Sequence, residues 1–454
     1  MHLLLTLLLT LGLMAAPATP GDGLPKARQG TFALTNARIV TVTNGVIENG
    51  TLIIRNDRIV ALGTDVKIPP DAEVIDCAGL HIYPGLIDSG TQLGLAEIGS
   101  VAETRDYAEL GELTPHVQAL TAVNPNSVLI PVTRVNGVTT VLTEPSSGLL
   151  SGQAALINLH GYTPEQMLLA GREVMVLEFP TTGRRGRWDR RSDEDIKKAA
   201  EKAIKTLDET WERARLYARI DSAYQASPDK SRKPAYVPEM IAMLPVIRGT
   251  MPLMIKVDAA RDIEKALEWV AKQQIENVIF SGVAEGWRVA DQIAEAGIPC
   301  LVGPVLSIPT RESDRYDKAY ANAALLKKAG VTIALRTGET ENVRNLPYHA
   351  GFAAAYGLGT EEALRAVTIV PAQIFGVADE VGSLEVGKKA NLFVTDGDPL
   401  ETKTQVLHVF IDGYQIPMVS RHTRLYDEFL ERNPGLVKHP GATPDPTPAG
   451  SDDR

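Results

Sequence analysis

The sequence predicts an α/β protein: a (β/α)8 TIM-like barrel with a small composite β-sandwich lobe built from both ends of the chain. Three observations carry this expectation. Apolar strand-like runs alternate with helical stretches from Gly85 to Val381, the pattern of a parallel sheet covered by helices. Short β-branched runs between tight turns fill Thr31 to Asp76, too few strands to bury a core alone. Runs of the same kind return only after Gly382. The lobe is therefore expected to combine residues 31–84 with 382–420, leaving 85–381 to the barrel.

Taken in order, the chain opens on an apolar run, Leu3 to Met14, too short to span a hydrocarbon layer of about 30 Å. Ala16-Pro17-Ala18 then supplies a small-x-small cleavage pattern, so residues 1–21 read as a signal peptide although no Lys or Arg precedes the run. Export to the periplasm or beyond is expected, with no membrane attachment after cleavage. The lobe strands follow, with turns expected at Asn44-Gly45, Asn49-Gly50 and Asn56-Asp57. Barrel strands are expected at Leu86, Val138–Thr143, Ala155–Leu159, Val174–Leu177, Leu253–Val257, Asn277–Phe280, Pro299–Val302 and Val331–Leu335. Ser192 to Ala223 predicts a long helix, capped by Ser192 with Asp195 three residues on, and its apolar stripe runs Ile196, Ala200, Ala203, Leu207, Trp211, Ala214, Ala218. The basic cluster Arg184-Arg-Gly-Arg187 reads as a solvated loop before that helix. The Pro-rich tail 440–454 is expected to be disordered.

Composition narrows the function classes. The 454 residues are 44% apolar and 22% charged, with a net charge of −10, which offers no basic footprint for nucleic acid. The two cysteines, Cys77 and Cys300, cannot form a disulfide framework and read as isolated buried thiols. Gly382 to Lys388 imitates a phosphate-binding loop, but Lys389 and a strand follow where Ser or Thr and a helix are needed.

The stretch Tyr83-Pro-Gly-Leu-Ile-Asp-Ser-Gly-Thr-Gln-Leu-Gly94 resembles the first barrel strand of the amidohydrolase superfamily, which reads P-G-[L/F]-I-D-x-H-x-H. Gly382-Ser-Leu-Glu-Val-Gly387 through Leu392 resembles that family's lobe signature, G-x-L-x-x-G-K-x-A-[DN]-L. Further stretches, among them Leu93–Gly99, Ala122–Asn126, Ala284–Ala290 and Asn345–Tyr348, resemble its exported, imidazolonepropionase-like branch. The resemblance spans residues 31–420 and implies a metal-dependent hydrolase of non-peptide carbon–nitrogen bonds. It also implies a ligand set that this chain departs from. Gly90 and Gln92 stand where the two histidines belong, Lys256 at the fifth-strand histidine, and Gly338 at the eighth-strand aspartate. Glycine offers no ligand atom and a neutral amide is a poor ligand for zinc or iron. No metal ligand is therefore assigned, and the usual divalent cofactor is expected to be absent.

Among the remaining histidines only His116 and His160 are placed to reach the barrel mouth. Carboxylates near strand ends, Glu97, Glu144, Glu178, Glu285 and Glu339, sit where this fold keeps its chemistry. Lys256, Glu97 and Glu339 are the catalytic candidates, and Gln92, Glu97, Glu144, Glu285, Arg336 and Thr337 the binding candidates. Lys256, helped by Arg336, is expected to supply the positive charge of the missing ion by pairing with Glu97 or Glu339. The alternatives are a lysine that reaches to solvent and a desolvated amine acting as base or nucleophile. Three functions stay open: a hydrolase, a non-catalytic binder of a small molecule in the barrel mouth, and an assembly subunit paired with a second copy or an active paralogue.

Overall fold

The computed structural model describes residues 26–184, 189–230 and 233–432. The leader, most of the Arg184–Arg187 cluster and the tail lie outside the described residues. Two eight-stranded sheets organise the rest. The first contains β1 (Thr31–Val40), β2 (Val46–Arg55), β3 (Arg58–Gly63), β4 (Glu73–Asp76) and β5 (His81–Pro84). The second contains β6 (Leu86–Thr91), β7 (Val138–Thr143), β8 (Leu150–Asn158), β9 (Leu168–Glu178), β10 (Leu253–Val257), β11 (Val278–Gly282), β12 (Cys300–Val302) and β13 (Ile333–Leu335). The chain then returns to the first sheet with β14 (Leu392–Thr395), β15 (Val406–Ile411) and β16 (Tyr414–Ile416).

The lobe sheet runs β16-β15-β14-β5-β1-β2-β3, with β4 added on β1. Its two sequence-distant halves meet where β5 pairs with β14, His81 to Pro84 against Thr395 to Leu392. A bulge between Leu34 and Ala37, with Asn36 at φ 59°, bends β1 so that its first half pairs β4 and its second half β5. The sheet thereby curls over one core in which Phe32, Leu34, Leu52 and Ile82 pack with Leu392, Val394 and Phe410. Asn56-Asp57 forms the expected two-residue turn between the paired Arg55 and Arg58. Asn49-Gly50 does not turn the chain. It lies inside β2, where Gly50 is needed because a Cβ there would meet Ile39 at 2.7 Å.

The barrel sheet runs in chain order from β6 to β13, and the fold class is the expected one. One strand breaks the repeat. β8 is antiparallel to both neighbours, because the connection from Thr143 to Leu150 is too short for a crossover back to the far end of the sheet. The long helix spans Asp193–Ala226, with Ser192 Oγ accepting from the Asp195 amide at 3.0 Å, and buries the expected stripe of Ile196, Ala200, Leu207, Trp211, Ala214 and Ala218, with Ala203 only half-buried. Cys77 and Cys300 are free and buried.

Because β5 is held between β1 and β14, a chain ending at Gly382 should lose the N-terminal sheet as well. Its core would lack Leu384, Ala390, Leu392, Val394 and Phe410, and β5 would become an unpaired edge. Thermal unfolding followed by far-ultraviolet circular dichroism should show a lost or broadened transition. An unchanged cooperative melt would contradict the shared core.

Candidate functional site

Parallel strands all deliver their C-terminal ends to one face, so residues at or just after β6, β7, β9, β10, β11 and β13 converge there. Glu144 follows β7, Glu178 ends β9, Lys256 is the penultimate residue of β10, Ser281 lies in β11 and Arg336 follows β13. Lys256 and Glu178 are direct register partners on neighbouring strands. These five side chains form one connected cluster. Lys256 Nζ lies 2.8 Å from Glu178 Oε1 and 3.2 Å from Glu144 Oε1. Arg336 Nη2 donates to the same Glu144 oxygen at 2.7 Å, and Arg336 Nη1 donates to Ser281 Oγ. Ser146 Oγ donates to Glu178 at 3.1 Å.

The electrostatics follow from burial opposed by pairing. Burial alone would push the Glu144 carboxyl up, but Arg336 and Lys256 outweigh it and hold Glu144 below the ordinary carboxylate range. Burial would lower Lys256, but Glu144 and Glu178 overcome that and raise it, so the ammonium stays protonated. That direction runs against a lowered-pKa amine, and the two carboxylate partners run against a lysine that merely reaches to solvent. The expected partners Glu97 and Glu339 are replaced by Glu144 and Glu178.

Gly90 and Arg336 fit each other. A Cβ at position 90 would lie 2.7 Å from Arg336 Cζ and 2.8 Å from its Nε. The guanidinium therefore fills the space that a side chain on the first strand would need. Gly338 has φ +67°, a left-handed conformation that glycine adopts freely.

Asp88, fully buried on β6, closes the barrel against the β13 end. It accepts from the Thr337 amide at 3.1 Å, the Thr337 hydroxyl at 2.5 Å and the Gly90 amide at 3.1 Å. Thr337 is thus a closure residue. Beside it, Gly338 donates its amide to the Gly90 carbonyl at 3.0 Å.

The mouth opens into a cavity of about 610 Å³, walled by Phe179, Val257 and Pro304 and floored by Lys256 and Arg336. Asp258 and Thr310 also line it. Glu285 lies behind this wall. It is buried and holds the loop after β12, accepting from Arg311 Nε and Nη2 at 2.5 and 2.6 Å, from Thr310 Oγ1 at 3.0 Å and from the Ala260 amide at 3.0 Å.

Other sequence candidates fall elsewhere. Glu97 accepts from Asn124 Nδ2 at 3.0 Å and Ser127 Oγ at 3.1 Å, bracing a loop beside the mouth. Gln92 and Glu339 meet through the backbone, the Gln92 amide donating to the Glu339 carbonyl at 3.2 Å, and neither lines the cavity. His116 is exposed, and His160 packs on the lobe's Tyr414 with ring centroids 4.7 Å apart. Four residues outside the candidate lists for catalysis and binding matter more: Asp88, Glu178, Asp258 and Ser281. Of these, Glu178 carried a readable signal, since a carboxylate ending one strand beside a lysine ending the next predicts a cross-strand pair.

Among the described residues, no group of three or more His, Cys, Asp or Glu is gathered to hold a metal ion. The mouth sets two cations among its carboxylates, and the Lys256 ammonium and Arg336 guanidinium have no lone pair to give a metal.

The sequence profile of the Amidohydrolase family matches residues 263–416. The chain is 25% identical over 385 residues to an imidazolonepropionase of Fusobacterium nucleatum, covering 77% of this chain and 86% of that one. It is 27% identical over 187 residues to an N-substituted formamide deformylase of Arthrobacter pascens, covering 36% of this chain and only 34% of that one. Among solved structures, an amidohydrolase from Thermotoga maritima superposes with a TM-score of 0.75 at 25% identity, over 86% of this chain and all of that one.

Asp88 yields a pH prediction. Burial, opposed by the Thr337 and Gly90 hydrogen bonds and by Arg336, raises its pKa from 3.8 to about 6. The folded chain therefore holds a proton that the unfolded chain has already lost. Asp88 costs stability above pH 6, and that cost fades as pH falls through 6 towards 4. Asp88→Asn keeps an acceptor for both amides and removes the ionisation. Its unfolding free energy relative to wild type should be more favourable at about pH 7.5 than at about pH 4.5, by roughly 2 kcal/mol. Denaturant titrations giving the same difference at both pH values would contradict this.

Proposed function

We propose, from the premise that this chain belongs to the amidohydrolase superfamily, that its barrel mouth is a metal-free site for a small molecule and no longer supports metal-assisted hydrolysis. The single observation that carries the reading is the Arg336 guanidinium lying where a first-strand side chain would project from position 90. A metal site needs several lone pairs converging on one point. Here two fixed cations occupy the region instead, with Glu144 and Glu178 engaged by them and Asp88 by Thr337. Among the described residues this leaves Asp258 as a lone unpaired carboxylate where a metal would need several donors. The positive charge a divalent ion would bring is already present on Lys256 and Arg336.

The hydrolase reading implied by the names of the curated relatives finds less support in the residues. Metal-free hydrolysis needs an activated nucleophile or a base poised to deprotonate water. Lys256 is held protonated, and Glu97 is tied to Asn124 and Ser127. The cavity itself, about 610 Å³ and lined by Phe179, Val257, Ala259 and Pro304 among a larger number of charged and polar side chains, has the size of a small-molecule site. Export, resting on the leader-like start of the chain, belongs to the same proposal.

Elemental analysis of protein purified without chelator should find no stoichiometric zinc, iron, manganese or nickel, and calorimetric titration with zinc should show no tight site. The pair of substitutions Gly90→His and Gln92→His should not create one, because the ligand set stays incomplete and the new side chain at 90 meets Arg336. One tightly held transition metal per chain would overturn the proposal.

A further inference from the structure

Resting on the reading of the mouth as a metal-free small-molecule site, we infer that its ligand is a small organic cation, an amine or amidinium, with Asp258 as the counter-charge. Most charged groups of the mouth are already committed to partners. Lys256 is shared by Glu144 and Glu178, and Arg336 is committed to Glu144 and Ser281. Asp262 accepts from Thr181 Oγ1 at 2.8 Å and from the Thr182 amide at 3.0 Å. Arg184, which also lines the cavity, is paired with Asp193 at 3.0 Å.

Asp258 differs. Among the described residues no side chain pairs with it, and the one hydrogen bond to its carboxylate is a 3.3 Å contact from the Ala284 amide. It lines the cavity and is exposed there. Desolvation by the surrounding wall nevertheless raises its pKa, as expected for a carboxylate without a cation in contact. Gly282 makes its position possible: with φ +90°, it brings no Cβ to a point that would be 2.4 Å from Asp258 Oδ1.

The charge count decides the sign of the ligand. With Arg184 paired to Asp193 and Asp262 lying 4.0 Å from Arg261, two cations, Lys256 and Arg336, face three carboxylates, Glu144, Glu178 and Asp258, and the uncompensated one opens on the cavity. An anionic ligand would add to that excess, whereas a single cationic head against Asp258 completes the balance. The apolar wall of Phe179, Val257 and Pro304 would take the ligand's body.

The test compares bodies of one shape and different charge: butylamine, benzylamine and benzamidine against butanol, benzyl alcohol and benzamide, with butyrate and benzoate as anions. Binding to the full-length protein is measured by calorimetry and by ligand-observed nuclear magnetic resonance. At least one cation should bind about tenfold tighter than its uncharged counterpart, and less tightly as salt is raised. In Asp258→Asn that preference should vanish while the melting temperature stays close to wild type. The inference fails if no cation outbinds its neutral counterpart in the wild type, or if the preference survives in Asp258→Asn. Metal analysis of the same preparation separates the two ideas. A zinc-free protein without cation preference sinks only this inference, whereas a zinc-loaded one sinks the metal-free reading.

Discussion

Glu144 is a carboxylate with only 2% of its side chain exposed, and it must have positive charge beside it. An isolated ionised carboxylate in such surroundings would cost several kcal/mol or take up a proton. Lys256 and Arg336 supply that charge from strands on either side, and Glu178 then balances the second cation. The demand propagates outward. Arg336 must pass across the barrel to reach Glu144, so position 90 must lack a side chain. Ser281 is placed to take the other guanidinium nitrogen. The charge cluster, the glycine on the first strand and the lost donor set are thus parts of one arrangement.

The scaffold keeps that arrangement in place. The barrel closes through Asp88 and Thr337 rather than through a full strand ladder, since β13 is only three residues long. The lobe fixes the start of the first barrel strand, because β5 runs directly into β6 and the Gly85 amide is held by Asn391 at 2.8 Å. Tyr83 stacks on Phe393 across the same junction, with ring centroids 5.7 Å apart. A strand anchored at one end by the lobe and at the other by a buried carboxylate can present Gly90 to Arg336 with little freedom to adjust.

Local signals in the sequence were informative about elements and poor about angles. The helix Asp193–Ala226, its Ser192 cap and the barrel strands are written in periodicity and capping chemistry, which act over a few residues. The reversed β8 was readable from the short link after Thr143, but the regular alternation of strands hid it. Lys256 could be placed at a strand end, yet which strand-end carboxylates it meets depends on position around the barrel. Glu144 and Glu178 face it, while Glu97 and Glu339 belong to loops braced elsewhere. The fit between Gly90 and Arg336 joins opposite ends of the barrel sequence, and no local pattern encodes it. A missing histidine announces only that something is gone; the guanidinium that fills the space is visible in three dimensions alone.

The charge cluster depends on the coupling between Lys256 and the buried Glu144. A double-mutant cycle with Lys256→Met, Glu144→Gln and the combination, followed by equilibrium denaturation, measures this directly. Lys256→Met alone should cost about 3 kcal/mol, since it leaves two carboxylates on one remaining cation. Much less should be lost when Glu144 has already been neutralised, giving a coupling energy above about 1 kcal/mol. A single-mutant loss within about 0.5 kcal/mol, together with additive effects in the double mutant, would contradict the account.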